Sequence, residues 1–180
     1  YTLRGGRLLL TQSLFDTEQD NVRTKDIDGN YTIAGDIRVR GYQLGVSGRL
    51  ANNWQLYGGY TYLDPRVLRA SDGTAGNLPA NVPHGMLTLW STYAPVQHWE
   101  IGGGVTAVGS RYAANNDLVK VDGYLRWDGT VAYHARRYDL RLNVLNLTDR
   151  SYYDAIIQSD GGRAVPGIGR TFLGTVSYRF

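Results

Sequence analysis

Arg170-Thr-Phe-Leu-Gly-Thr-Val-Ser-Tyr-Arg-Phe180 is the stretch that decides the fold. Phe172, Val176, Tyr178 and Phe180 fall on one face of an extended chain. Thr171, Thr175, Ser177 and Arg179 fall on the other. Soluble domains commonly end in a frayed polar tail. A strand that finishes on an aromatic residue, in register with an apolar face, has another pattern. It is that of a strand with lipid on one side and a polar lumen on the other.

The rest of the composition agrees. The chain has 180 residues, with 23 glycines, 14 tyrosines, 4 tryptophans and 3 phenylalanines, a balance common in all-β and outer-membrane proteins. The formal charge is +3, and Lys and Arg are scattered along the chain. Scattered cations speak against a nucleic-acid surface. The absence of cysteine excludes disulfides and thiolate metal sites. No stretch approaches the ~18 apolar residues that a membrane helix needs. The mean hydropathy of −0.34 is compatible with a barrel, because barrel strands are only half apolar. The chain opens at Tyr1 on what reads as mid-domain sequence, without a charged-then-apolar leader. A removed leader or a missing N-terminal part is therefore expected.

Alternation and turn residues mark eight strand-like segments, roughly 5–17, 31–50, 53–64, 83–95, 98–112, 121–135, 138–147 and 170–180. No segment of ten or more residues follows the helical period. Parity is clearest in the sixth, where Val121, Leu125, Trp127, Val131 and Tyr133 oppose Asp122, Arg126, Asp128, Thr130 and His134. Burying Arg126 and Asp128 against an apolar core would cost several kcal/mol each, so the polar face meets water or partners. In the second segment parity changes: Ile37 and Val39 are odd, whereas Tyr42, Leu44, Val46 and Leu50 are even. A β-bulge at Gly41 is expected to restore the facing. The connections alternate in length. Ala51–Asn53, Pro95–His98 and Arg136-Arg137 are short, and 18–30, 65–82, 113–120 and 148–169 are long. Short turns at one end and long loops at the other are the habit of outer-membrane barrels. The even strand count then puts the long loops outside and the C-terminus in the periplasm.

From Asp139 onward the chain resembles the C-terminus of TonB-dependent outer-membrane receptors. Leu140-Arg-Leu-Asn-Val-Leu-Asn-Leu-Thr-Asp-Arg-Ser-Tyr-Tyr153 carries the Asn-Leu-x-Asp-x-x-Tyr box of that family as Asn146–Tyr152, with Thr148 where Phe is commoner. The final strand ends on an aromatic residue, as theirs do. Leu78-Pro-Ala-Asn-Val-Pro-His84, Trp90–Tyr93, Gly102–Gly104 and Gly109–Tyr112 are also similar, and among these receptors the hydroxamate and ferrichrome group is the nearest in likeness.

The resemblance implies an all-β fold. The chain would be a transmembrane antiparallel β-barrel segment, eight strands from the C-terminal part (residues 1–180) of a barrel of about 22 strands, without the plug domain or the TonB box. It implies transport of a ferric siderophore, energised by the TonB–ExbB–ExbD complex through the missing plug. Other partners would be the barrel-assembly machinery and outer-membrane lipid or lipopolysaccharide. Iron would enter only as part of the substrate, with no cofactor held by protein ligands. Arg111 and Tyr112, at the end of an ascending strand, and Tyr153, Arg163 and Ile168, in the last long loop, are the candidate ligand contacts. Ordinary loop chemistry is the plainer alternative for each. Phe172, Val176, Tyr178 and Phe180 resemble the assembly signal, where an unpaired strand edge is open to capture. A girdle aromatic without a partner is the alternative.

Other features are read more plainly. Asn146 and Asp149 are expected to tie down the loop base through side-chain-to-backbone hydrogen bonds. Trp54, Trp90, Trp99, Trp127, Tyr133, Tyr138 and Tyr178 fit aromatic belts. His84, His98 and His134 lack metal-ligand spacing, and Asp16, Asp20, Asp26 and Asp28 lack that of a calcium loop. No nucleophile–base pair stands out, which disfavours catalysis. Three competing architectures stay open. They are a self-contained eight-stranded barrel with an adhesive or structural role, an outer-membrane hydrolase, and a soluble β-sandwich.

Overall fold

The computed structural model describes residues 1–3, 7–25, 31–157 and 163–180. Every regular element among them is a strand: β1 (Thr2–Leu3), β2 (Leu8–Lys25), β3 (Tyr31–Ala51), β4 (Trp54–Arg69), β5 (Gly85–Val96), β6 (Trp99–Val108), β7 (Arg111–Tyr112), β8 (Lys120–Val121), β9 (Tyr124–His134), β10 (Tyr138–Leu145), β11 (Tyr153–Ile157), β12 (Arg163–Pro166) and β13 (Thr171–Tyr178). No helix is long and apolar enough to cross a membrane, which says nothing of crossing by strands.

Nine strands form one antiparallel sheet in the order β1-β2-β3-β4-β5-β6-β9-β10-β13, while β7–β8 and β11–β12 are separate hairpins. The sheet is open: β1 and β13 are its two edges. These strands do not close on one another, so they do not make a self-contained eight-stranded barrel. Leu125 and Trp127 are 41% and 45% exposed; a sandwich core would cover them.

The pairing fixes the two faces. Val46, Gly58, Leu89, Val105 and Trp127 stand side by side across five strands, flanked by the row Leu44, Tyr60, Leu87, Ala107 and Leu125. Between these rows runs a polar one, Gly45, Gly59, Thr88, Thr106 and Arg126, which points the other way. Trp54, Tyr93, Trp99, Tyr133, Tyr138 and Tyr178 gather on the apolar face at the turn end, where Trp99 and Tyr133 sit 5.1 Å apart and Trp54 and Tyr93 6.2 Å apart. Tyr42, Tyr60 and Tyr62 form a second cluster further up, with Tyr42 and Tyr62 stacked at 5.5 Å. From Trp54 to Tyr62 is a rise of about 26 Å along the strand, or roughly 20 Å across a membrane at the usual tilt, close to the apolar band of an outer-membrane barrel. Trp90 departs from the expected belts: it pairs with Tyr57 and Gly104 and lies on the polar face.

The bulge expected at Gly41 does not form. Pairing is continuous through Phe15↔Gly41↔Leu63, and the irregularities fall at Gln19/Val22, Val22/Arg23, Asp36/Ile37 and Arg49/Ala51. What changes is the surroundings rather than the register. β2, β3 and β4 rise past the upper tyrosines, and there the outer face carries Asp16, Arg38, Arg40, Asp64 and Arg66. Arg38 pairs with Asp16, and Arg40 reaches the same carboxylate at 3.2 Å. The apolar residues at that height, Val39, Pro65, Ile37 and Val67, turn to the inner face, where Val67 is 1% exposed beneath the 70–84 loop. Gly41 is glycine for another reason. A Cβ there would lie 2.7 Å from the Phe15 ring and overlap the Tyr62 carbonyl.

β2 continues to Lys25 and pairs with β3 up to Tyr31, so the expected long loop 18–30 is largely strand. Gly5 and Gly6 of the first expected segment, and Asp26 and Asp28 of the acidic run, lie outside the described residues. The segment 98–112 is split. β6 ends at Val108, and Arg111–Tyr112 leaves the sheet to pair with Lys120–Val121. Most buried apolar side chains, Val67, Ala113, Tyr124, Tyr152 and Ile156, gather at the loop end. The core sits under the loops.

Candidate functional site

On the polar face, at the loop end of β9, two residues of one strand face supply an ion pair. Arg126 Nη2 donates to Asp128 Oδ2 at 3.0 Å, and its Nη1 donates to the Tyr152 hydroxyl at 3.1 Å. The other Asp128 oxygen accepts the Asn146 backbone N–H at 2.8 Å. Asn146 is fully buried and holds φ = 53°, a left-handed angle that Asn tolerates better than most residues. Its Nδ2 donates to the carbonyls of Arg150 and Ile168, each at 2.9 Å, and its Oδ1 accepts the Arg150 N–H at 3.0 Å. Asp149 Oδ1 accepts the Arg170 N–H at 2.8 Å. The Asn146–Tyr152 box is thus a clasp joining the two ends of the last loop, as expected for Asn146 and Asp149.

Tyr152 carries the clasp upward. Its ring lies 4.2 Å from that of Tyr124, and a Cβ at Gly167 would overlap it. Tyr124 donates to Asp154 Oδ1 at 3.1 Å. Arg111, 3% exposed, donates from Nε to Asn81 Oδ1 at 2.8 Å and from Nη2 to the carbonyls of Tyr153 and Asp154 at 3.0 and 2.9 Å. The 70–84 and 109–123 loops are stitched as well. Asn77 Nδ2 donates to Asn115 O at 2.8 Å, Ala80 N–H to Asn115 Oδ1 at 2.8 Å, Leu78 N–H to Asp117 Oδ2 at 3.2 Å, and Asn81 N–H to Tyr112 O at 2.8 Å.

The five candidate ligand residues do not form one cluster. Arg111 and Tyr153 meet through the Tyr153 carbonyl, with the Tyr153 ring 51% exposed. Tyr112 is half-buried on the β7–β8 hairpin. Ile168 is exposed, and its carbonyl is taken by Asn146. Arg163 pairs with Ile157, at the far end of the β11–β12 hairpin from Tyr153, which pairs with Pro166. Sequence reasoning missed Asn81, Asn77, Asn115 and Asp117. The one available signal is the density of Asn and Asp, whose side chains readily hydrogen-bond turn backbones.

Asp128 and His134, the polar groups closest to a catalytic pattern on β9, are both engaged with neighbours. Asp128 is occupied by Arg126 and Asn146. His134, six residues away on the same strand, is engaged with Asp139 at 2.8 Å, and six residues of strand span about 20 Å. Among the described residues no group of three His, Asp or Glu is placed to hold a metal.

A half-apolar antiparallel sheet, girdled by two aromatic clusters, with short turns at one end and packed loops at the other, is a section of outer-membrane barrel wall. More narrowly, the family model "TonB dependent receptor-like, beta-barrel" matches residues 1–147, and the chain belongs to that family. It is 36% identical over 183 residues to the catecholate siderophore receptor Fiu of Escherichia coli K12, covering 97% of this chain and 24% of that protein. It is 29% identical to the probable TonB-dependent siderophore receptor PiuA of Acinetobacter baumannii, covering 96% of this chain and 25% of the other. The crystal structure of the A. baumannii PiuA receptor superposes with a TM-score of 0.89 at 28% identity, over 99% of this chain and 27% of that one. The closed form of the E. coli ferric-catecholate import receptor Fiu gives 0.81 at 33% identity, over 100% and 26%. The chain spans about a quarter of the length of these relatives. The family and these relatives are receptors, not enzymes.

Proposed function

We propose that this chain is the C-terminal part of the barrel of a TonB-dependent receptor that imports a ferric siderophore across the bacterial outer membrane. The observation that carries the reading is the division of labour in one sheet. An apolar face suited to lipid runs between two aromatic girdles, and the polar face is roofed at one end by interlocked loops. Likeness to receptors named for catecholate siderophores makes a ferric catecholate the first substrate to test. A ferric hydroxamate is the alternative that the sequence resemblance suggested.

In this reading the loop end is extracellular and the C-terminus periplasmic. Tyr112, Tyr153, Arg163 and Ile168 contribute ligand contacts. The plug lies elsewhere in the longer protein and engages the TonB–ExbB–ExbD complex. The edge of β13, with Phe172, Val176 and Tyr178 exposed, and Phe180 beyond it, is captured by the barrel-assembly machinery through strand addition. The charged band above Tyr42, Tyr60 and Tyr62 meets lipopolysaccharide headgroups.

The test uses the full-length receptor in a bacterial strain that lacks its own siderophore receptors. Iron-55 uptake is measured from ferric catecholates and ferric hydroxamates, with and without an intact TonB. TonB-dependent uptake of either class is expected. Uptake of neither, by a receptor that reaches the outer membrane in normal amount, would overturn the assignment.

A further inference from the structure

We propose that Arg111 is a positioning residue that joins three loops into one body, so that the ligand-facing β11–β12 hairpin moves with the 70–84 and 109–123 loops rather than alone. The proposal rests on the siderophore-receptor reading only where it concerns ligand affinity.

The geometry is that of a hub. Arg111 belongs to the 109–123 loop. Its Nε–H is taken by Asn81 of the 70–84 loop, and its Nη2 by two successive carbonyls of β11, Tyr153 and Asp154. Asn81 is itself fixed: its N–H donates to Tyr112 O at 2.8 Å, and it holds φ = 61°. The guanidinium is almost fully buried. Among the described residues no carboxylate pairs with it, because the Asp154 carboxylate receives the Tyr124 hydroxyl instead. A buried cation solvated only by neutral oxygens depends on every one of them. Moving any one loop away strips part of that solvation and leaves the charge in a poor environment. The three loops therefore separate together or not at all.

The planar fork explains why the residue is arginine. Its donors diverge at fixed angles and reach acceptors on two different loops at once, whereas a lysine ammonium is a single point on a flexible stem. The hub also puts a mechanical link between Tyr153, whose ring is exposed, and loop residues that need not touch the ligand.

The experiment uses the full-length receptor in lipid nanodiscs. Spin labels are placed in pairs through Ala75→Cys, Asn116→Cys and Val165→Cys, three exposed positions, one per loop; this segment has no cysteine of its own. Distance distributions are read without ligand in the parent and in Arg111→Met, Arg111→Lys and Asn81→Ala. In parallel, affinity and saturated uptake rate are measured with the ferric complex of a simple catecholate. The parent is expected to give narrow distributions. Arg111→Met should broaden the 75–165 and 116–165 distances and weaken affinity by about tenfold, while the saturated uptake rate stays within about twofold. Lysine should not restore either property, and Asn81→Ala should reproduce a smaller version of both.

Unchanged distances in both Arg111→Met and Asn81→Ala would overturn the hub. Full rescue by lysine would overturn the fork. Lost affinity with unchanged distances would make Arg111 a direct ligand contact instead. Broadened distances with unchanged affinity would remove its role in ligand capture. Should Arg111→Met fail to assemble, Asn81→Ala decides by itself. Because the distances are read without ligand, a wrong siderophore assignment leaves that arm intact.

Discussion

Replacing Asn146 with alanine should open the last loop at its base. The side chain makes three hydrogen bonds, two from Nδ2 to the Arg150 and Ile168 carbonyls and one from the Arg150 N–H to Oδ1. At roughly 1 kcal/mol net each, their loss costs about 3 kcal/mol. Alanine must also keep φ near 53° without a local side-chain bond, which adds about 1 kcal/mol. The expected local destabilisation is about 4 kcal/mol, and glycine at the same site should cost about 1 kcal/mol less, because it relieves only the backbone term. Amide hydrogen exchange in the full-length receptor reads this directly. Exchange at the Arg150 N–H, and at the Gly167 N–H that donates to Tyr152 O at 2.8 Å, should accelerate by two to three orders of magnitude. Amides in the middle of β9 should not change. The clasp is refuted if both loop amides keep their protection in Asn146→Ala. Equal acceleration in the alanine and glycine variants would refute the backbone contribution alone.

Leu89→Arg places a cation on the apolar face midway between the aromatic clusters, in the row of Val46 and Val105. It should cost about 2–4 kcal/mol and sharply lower refolding yield into vesicles, whereas Thr88→Arg, one residue away on the polar face, should refold normally. Gly167→Ala drives a methyl group into the Tyr152 ring, so protease sensitivity of the 148–169 loop should rise while the strands stay resistant. Deleting Phe180, which is fully exposed beyond β13, should cut the amount of receptor assembled in the outer membrane, with ligand affinity of the assembled fraction unchanged. Normal assembly would make Phe180 a girdle residue only.

The strands were legible because one physical rule governs them over most of their length. Leu125, Trp127 and Val131 alternate with Arg126, Asp128 and Thr130 because lipid and lumen demand opposite chemistry at a spacing of two. The same rule misleads where its premise lapses. Ile37 and Val39 read as out of phase because the apolar side of the wall above the upper tyrosines is inward, under the 70–84 loop, and the outer side is charged. A change of solvent along a strand imitates a change of register, and pairing alone distinguishes the two. Trp90 has the size of a belt residue, but Leu87 and Leu89 hold the apolar face, and parity puts Trp90 on the polar one.

The loop end was legible only in part, for a different reason. The Asn146 clasp is local, closing between residues 146, 149 and 150, so the box could be read as a loop base. Its second anchor, Ile168, is 22 residues on. Arg111 meets partners 30, 42 and 43 residues away, and no spacing rule predicts such a meeting. In the sequence Arg111 is an arginine at the mouth of a strand, a position that suggests ligand contact and gives no sign of these distant partners.

Below the upper tyrosines the described part of this sheet spends its apolar residues on lipid, and it offers the loops little interior core beyond the patch around Val67. The loops must therefore supply their own, and among the described residues they do so with a small apolar cluster, Val67, Ala113, Tyr124, Tyr152 and Ile156, set beside buried polar side chains, Asn146, Arg111 and Thr74, with Asp128 of β9 beneath them. Polar anchors are the costlier choice unless each is satisfied, but they are directional in a way that apolar packing is not. A hydrophobic roof tolerates small slips. A roof held by a guanidinium fork and a left-handed asparagine has one arrangement of low energy and a steep rise around it. A site that must distinguish one small polar complex from another gains from that steepness, because a loop that cannot adapt cannot accommodate the wrong ligand. If Tyr153 and Ile168 contact the ligand as proposed, selectivity in the segment begins one layer beneath them, in the buried bonds that decide where those side chains stand.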